Sequence, residues 1–139
     1  MIDHKNLTAP CGLDCFNCPR YLANDNEVLR QEIATKTGTD PAEVTCEGCR
    51  NKGGVVAFQK RTEPCNVYRC TAEKGLTFCS ECDEFPCDHL HPYAEMATVV
   101  PHNTKVFNLC LIKKMGHESW ACDKAAKVKE VYYKGKWKL

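Results

Sequence analysis

Ten of this chain's twelve cysteines fall between positions 11 and 87, in four groups whose spacing restricts what the chain can fold around. The groups are CGLDCFNC with Cys11, Cys15 and Cys18; CEGC with Cys46 and Cys49; the C-x4-C of Cys65 and Cys70; and CSECDEFPC with Cys79, Cys82 and Cys87. Twelve cysteines in 139 residues is the density of a cross-linked or metal-bound scaffold. The compartment decides between those two. The start, MIDHKNLTAP, lacks the unbroken apolar stretch of a signal peptide, and no apolar run is long enough to span a membrane. A cytoplasmic protein is therefore expected, where thiols stay reduced and close-spaced cysteines serve as metal ligands more often than as disulfides.

C-x2-C pairs stand at Cys15/Cys18, Cys46/Cys49 and Cys79/Cys82, the spacing that lets two sulfurs converge on one tetrahedral zinc ion. Gly48 inside CEGC suits the tight turn, because glycine accepts positive φ and lets backbone N–H groups face the thiolates. One pairing takes Cys46 and Cys49 with Cys65 and Cys70, fifteen residues apart, a loop length like that of a zinc ribbon. A second site then takes Cys15, Cys18, Cys79 and Cys82, leaving Cys11 or Cys87 to substitute or support. His89 and His91 follow Cys87 closely enough to complete a mixed site, or else lie on a solvated surface. Either way the expected cofactor is zinc, one to two ions. Its role is structural, since a shell of four thiolates leaves no open position for water or substrate.

Other chemistries compete. The C-x3-C-x2-C of Cys11, Cys15 and Cys18 is the spacing by which radical-SAM enzymes hold an iron–sulfur cube, but the chain is too short for their barrel. A non-catalytic Fe–S cluster, which also takes four thiolates, is the alternative cofactor. A thiol redox centre fits less well: CEGC runs into the loop RNKGG, and CSEC into the acidic DEFP. No Ser/His/Asp set, phosphate-binding glycine loop or paired carboxylate stands out, so the chain reads as a binding module rather than an enzyme.

Hydrophobic residues at 43% and charged residues at 27% describe a globular chain, with one domain expected over 1–139. Its cysteine-rich half is 11–87 and its helical, basic half 102–139. Residues 113–139 carry eight lysines against three acids, a charge of +5 on a chain of net +1. Lys113, Lys114, Lys124, Lys127, Lys129, Lys134, Lys136 and Lys138 are interleaved with Trp120, Tyr132, Tyr133 and Trp137. Such a segment suits nucleic acid as a partner, although the overall pI near 7.5 is low for that role. A protein partner is the other option.

The fold class expected is a small metal-stabilised domain, mainly α with irregular zinc-knuckle loops and little β. Asp25 or Asn26 caps a helix to about Lys36 with Val28, Leu29 and Ile33 inward and Gly38 as its stop. TDPAEV makes one helical turn from Asp40 and Pro41. Pro64 and Gly75 bracket a helix around 65–74, and Pro86 opens another carrying Cys87, His89 and Leu90 until Pro92. Asn103 or Thr104 starts the strongest helix. Its residues Val106, Phe107, Leu109, Cys110, Leu111 and Ile112 are apolar nearly all round, which predicts deep burial, with Cys110 in the core. Ala121, Ala125, Val128 and Tyr132 form a last stripe that leaves Cys122 on the polar side, and YYKGKWKL suits a short hairpin or a frayed tail.

The ordered pattern CGLDCxxCP, CEGCR, C-x4-C, EKGL, CSECDEFPC and MGHESW resembles a family of small cysteine-rich prokaryotic proteins catalogued as a domain of unknown function, DUF3795. The resemblance runs from about Cys11 to Trp137. It implies zinc binding through Cys11, Cys15, Cys18, Cys46, Cys49, Cys65, Cys70, Cys79, Cys82 and Cys87, and implies no activity.

Overall fold

Six α-helices and a series of short 3-10 turns make up the structure, a computed structural model that describes residues 1–139 apart from the side chain of Ala57. The helices are α1 (Pro19–Leu22), α2 (Glu27–Thr37), α3 (Asn66–Lys74), α4 (Lys105–Met115), α5 (His117–Asp123) and α6 (Ala125–Lys134). Extended pairing among the described residues is confined to one isolated bridge, Thr8 with Asp14. The fold is thus mainly helical with irregular cysteine-bearing loops, as the sequence predicts. Among the described residues no helix is long and apolar enough to cross a membrane.

Local signals place the early elements. Asn26 caps α2 by accepting from Leu29 N–H at 3.0 Å, and Gly38 closes it in the left-handed conformation. Leu29, Ile33 and the buried Ala34 pack with Ala23 and Val44 into a small core of their own, whereas Val28 is exposed. TDPAEV forms the 3-10 turn Pro41–Glu43, with Asp40 accepting from Ala42 N–H. Cys65 itself caps α3, its sulfur receiving Tyr68 N–H at 3.4 Å, and Gly75 ends the helix. After Pro86 only the 3-10 turn Asp88–Leu90 forms, because Pro92 leaves no room for a longer helix.

The main core sits where α4 and α5 cross the CGLDC loop. Leu109 and Trp120 are fully buried at 0% exposure, with Phe16 meeting the indole edge-on at 6.0 Å. Asn108, also buried, donates to Gly12 O at 2.9 Å and accepts from Trp120 Nε1 at 3.2 Å, so each buried polar atom has a partner. Gly12 has φ of +91°, and a Cβ there would stand 2.9 Å from both the Leu109 side chain and Lys105 O. Only glycine lets α4 approach the loop this closely.

Two expectations for the C-terminal half need correction. Cys110 is exposed, not in the core, and Phe107 is 58% exposed. The buried face of α4 runs through Asn108, Leu109 and Ile112, and the helical period turns positions 107 and 110 outward, so apolar composition all round did not mean burial all round. The last stripe is split between two helices at Lys124, with Ala121 and Ala125 buried and Cys122 exposed. Tyr132 and Tyr133 lie within α6, and the residues after it form neither strand nor hairpin.

Candidate metal centre

The ten cysteines of 11–87 come together as a deep group and an outer group that adjoin at Cys11. In the deep group, Cys15 opens the 3-10 turn Cys15–Asn17 and Cys18 caps α1, its N–H bonded to Cys15 O at 2.9 Å. The CEGC loop is stitched beside this knuckle. Cys46 N–H donates to Arg20 O at 3.1 Å, Asn24 Nδ2 to Cys46 O at 2.9 Å, and Arg20 Nη1 to Val44 O at 3.0 Å. The consequence is that the pairs Cys15/Cys18 and Cys46/Cys49 face each other. Gly48, at φ +89°, makes the turn, and a Cβ on it would stand 3.8 Å from that of Cys15.

The backbone N–H groups of Gly48, Cys49 and Leu13 favour the thiolate forms of Cys46, Cys15 and Cys11. Donors so placed stabilise thiolate over thiol. The adjacent Cys49 brings Cys15 down to about 7, and Cys15 in turn, with burial, pushes Cys49 up. Burial raises Cys46 and the fully enclosed Cys11. The thiols that act on Cys46 are Cys18 and Cys15, opposed by Arg20; those that act on Cys49 are Cys15, Cys11 and Cys65.

The outer group lies around a cavity of about 270 Å³, lined by Cys70 from α3 together with Cys79, Cys82 and Cys87. The loop is fixed by turns on its own cysteines: Cys82 N–H to Cys79 O at 3.0 Å, Phe85 N–H to Cys82 O at 3.1 Å, and Leu90 N–H to Cys87 O at 2.9 Å. Cys79 N–H bonds Pro10 O at 3.0 Å, tying this loop to the residue before Cys11. Burial, reinforced by Cys11 and Cys87, pushes the Cys79 thiol up to about 12. Lys74 Nζ lies 3.3 Å from Cys82 Sγ and 2.7 Å from Glu84 Oε2.

This grouping differs from the pairing that loop length suggests. Cys65 stands with Cys11 and Cys49, while Cys70 stands with Cys79, Cys82 and Cys87. Cys65 is the extended N-cap and Cys70 lies more than a turn into α3, so this C-x4-C does not converge as a loop pair would. Cys79 and Cys82 likewise remain with Cys87 rather than joining Cys15 and Cys18. His89 lines the outer cavity, and His91 is exposed, with Nδ1 2.8 Å from Pro92 O. Among the described residues no three Cys, His, Asp or Glu side chains close tightly enough to share one ion, so χ1 rotations of the thiols must complete any single-ion shell.

Several supporting residues were not singled out in the sequence. Arg50 donates through Nε to Thr8 O at 2.8 Å and through Nη2 to Thr77 O at 2.6 Å, bracing the cysteine loops from behind. Its place directly after Cys49 in CEGCR was the available signal. Lys74, Arg20 and Asn24 gave none, because their partners are backbone atoms or residues far along the chain.

The family profile described as a protein of unknown function (DUF3795) matches residues 7–92, which takes in both cysteine groups and α1 to α3. No curated protein and no solved structure matches the chain.

Proposed function

We propose that this chain, which belongs to the DUF3795 family of proteins of unknown function, is a binding or interaction module whose cysteine half is organised by structural metal, with zinc held by Cys15, Cys18, Cys46 and Cys49. The observation that carries this reading is the seating of the CEGC loop against the Cys15–Cys18 knuckle by Cys46 N–H on Arg20 O and Asn24 Nδ2 on Cys46 O, with the Gly48 and Cys49 N–H groups favouring the thiolates of Cys46 and Cys15. Such N–H donors offset the negative charge of a tetrathiolate shell, and orient its ligands. The donor set is all sulfur, which suits zinc and leaves no coordination position for catalysis. Cys11 and Cys65 stand beside the shell, and Cys70, Cys79, Cys82 and Cys87 form a second thiolate centre.

Structural zinc contributes on the order of 10 kcal/mol to the fold of small domains. Two features fit such a dependence here: the loops from 39 to 65 contain only short 3-10 turns, and the core of α2 rests on three small buried residues. Elemental analysis of protein purified without added metal should find zinc, and strong chelation under reducing conditions should lower the far-UV dichroism as α1 and α2 unfold. Zinc-free protein, or a spectrum unchanged after chelation, overturns the reading.

A further inference from the structure

Cys70, Cys79, Cys82 and Cys87 reach the outer cavity from α3 and from the loop after it, and they differ from the deep thiols in one respect. Cys15 and Cys49 act directly on each other, whereas the outer four share the lining of a surface cavity of about 270 Å³ with apolar and charged residues. A zinc ion with four thiolates at about 2.3 Å draws its sulfurs into mutual contact and leaves no space among them. A single water needs only about 10–15 Å³ of such volume, so this cavity has room for a group of many atoms.

Its walls also have the right chemistry for such a group. Val67, Leu76, Phe85 and Leu90 supply an apolar backing, and the four sulfurs are the only soft donors among its lining residues. Lys74 brings a cation to Cys82 Sγ at 3.3 Å, an N–H···S contact that offsets thiolate charge and sets electronic properties of an iron–sulfur centre. Cys87, Asp88 and His89 are exposed, so the cavity opens at the surface. From the four thiols, the volume and the lysine together, we propose that Cys70, Cys79, Cys82 and Cys87 bind a four-iron, four-sulfide cluster. This rests on the reading of the cysteines as metal ligands and replaces zinc at this one site.

The test is anaerobic purification of the full chain followed by reconstitution with ferrous iron and sulfide. Iron, acid-labile sulfide and zinc are then counted, and the optical spectrum and the electron paramagnetic resonance of the dithionite-reduced protein are recorded. The expected result is four iron and four sulfide per chain beside one zinc, with a broad absorbance near the blue that bleaches on reduction. Cys70→Ser with Cys87→Ser should lose the iron and sulfide and keep the zinc. Cys46→Ser should do the reverse. Lys74→Met should keep the cluster and shift its reduction potential, a readout that a purely structural lysine would not move. Zinc at the outer site with no cluster after reconstitution overturns this inference and leaves the metal-module reading intact. Iron retained by the double serine variant also overturns it, as adventitious iron sulfide. Failure to hold any metal at either site overturns both.

Discussion

Lys129 Nζ lies 2.9 Å from Asp14 Oδ1, a pair in which Asp14 is 2% exposed and which joins the last helix to the residue before Cys15. Asn17 Nδ2 donates to the other carboxylate oxygen at 2.8 Å, so Asp14 holds the first knuckle and α6 at once. The other seven lysines of residues 113–139 are exposed, but this one is turned inward. It carries the C-terminal half's charge to the deep cysteine group, where it is among the cations that favour the Cys15 thiolate.

Replacing Lys129 by alanine leaves a buried carboxylate without its cation and should cost about 3–5 kcal/mol. Denaturant titration of the metal-loaded protein measures this. Asp14→Asn combined with Lys129→Met should recover most of the loss, because neither charge is then buried unpaired. If the single and double variants are equally unstable, the pair acts through packing rather than charge.

Gly53 and Gly54 offer a second comparison, since both have positive φ but only one is crowded. A Cβ on Gly53 meets nothing within 4 Å, whereas on Gly54 it would overlap the Tyr68 ring. Gly54 N–H donates to Cys49 O at 2.8 Å and its carbonyl accepts from Cys65 N–H at 3.1 Å, so this residue ties CEGC to the start of α3. Gly53→Ala should cost about 1–2 kcal/mol from the left-handed backbone alone. Gly54→Ala should cost clearly more and weaken zinc retention. Melting temperature and zinc content of the two variants decide it.

These cases mark what could and could not be read from sequence. The caps at Asn26 and Asp40 and the stops at Gly38 and Gly75 were legible because each acts on residues two to four places away. The cysteine groups were legible as groups for the same reason. Which groups share a site was not: the sorting of Cys65 from Cys70 depends on α3 turning one away from the other, and Asp14 meets Lys129 across 115 positions. Cys110 was misplaced because α4 is apolar on both faces, and only the position of Trp120 and of the CGLDC loop chooses which is buried.

His117 should make stability depend on mild acid. Its ring stacks on Phe78 at 5.3 Å, and Nε2 lies 2.9 Å from Thr8 Oγ1, whose own proton goes to His4 O. That hydroxyl therefore accepts from Nε2, which fixes the neutral tautomer. Burial lowers the His117 pKa, and His4 lowers it further, against the opposing Glu118. The unfolded chain takes up a proton at about pH 6.5, where the folded chain does not. The contribution is thus complete above about pH 6.5 and is lost as pH falls through the lower folded value. His117→Gln should flatten the slope of stability against pH between about 5 and 7. Zinc content, followed over the same range, separates this effect from loss of metal; an unchanged slope in the variant refutes it.

The division between ligand and bystander cysteines can be tested with three substitutions. Cys110 and Cys122 are both exposed on helices of the basic half and belong to neither cysteine group. Cys110→Ala and Cys122→Ala should each change stability by no more than about half a kcal/mol, as surface changes do, and should keep every metal ion. Cys49→Ser removes one thiol of the C-x2-C pair beside Cys15, so it should release zinc and unfold the CEGC loop. Metal content and thermal melting are compared under reducing conditions, which prevents disulfides from standing in for metal. If either alanine variant loses zinc as readily as Cys49→Ser, the basic half contributes ligands, and the confinement of the metal centres to residues 11–87 is wrong.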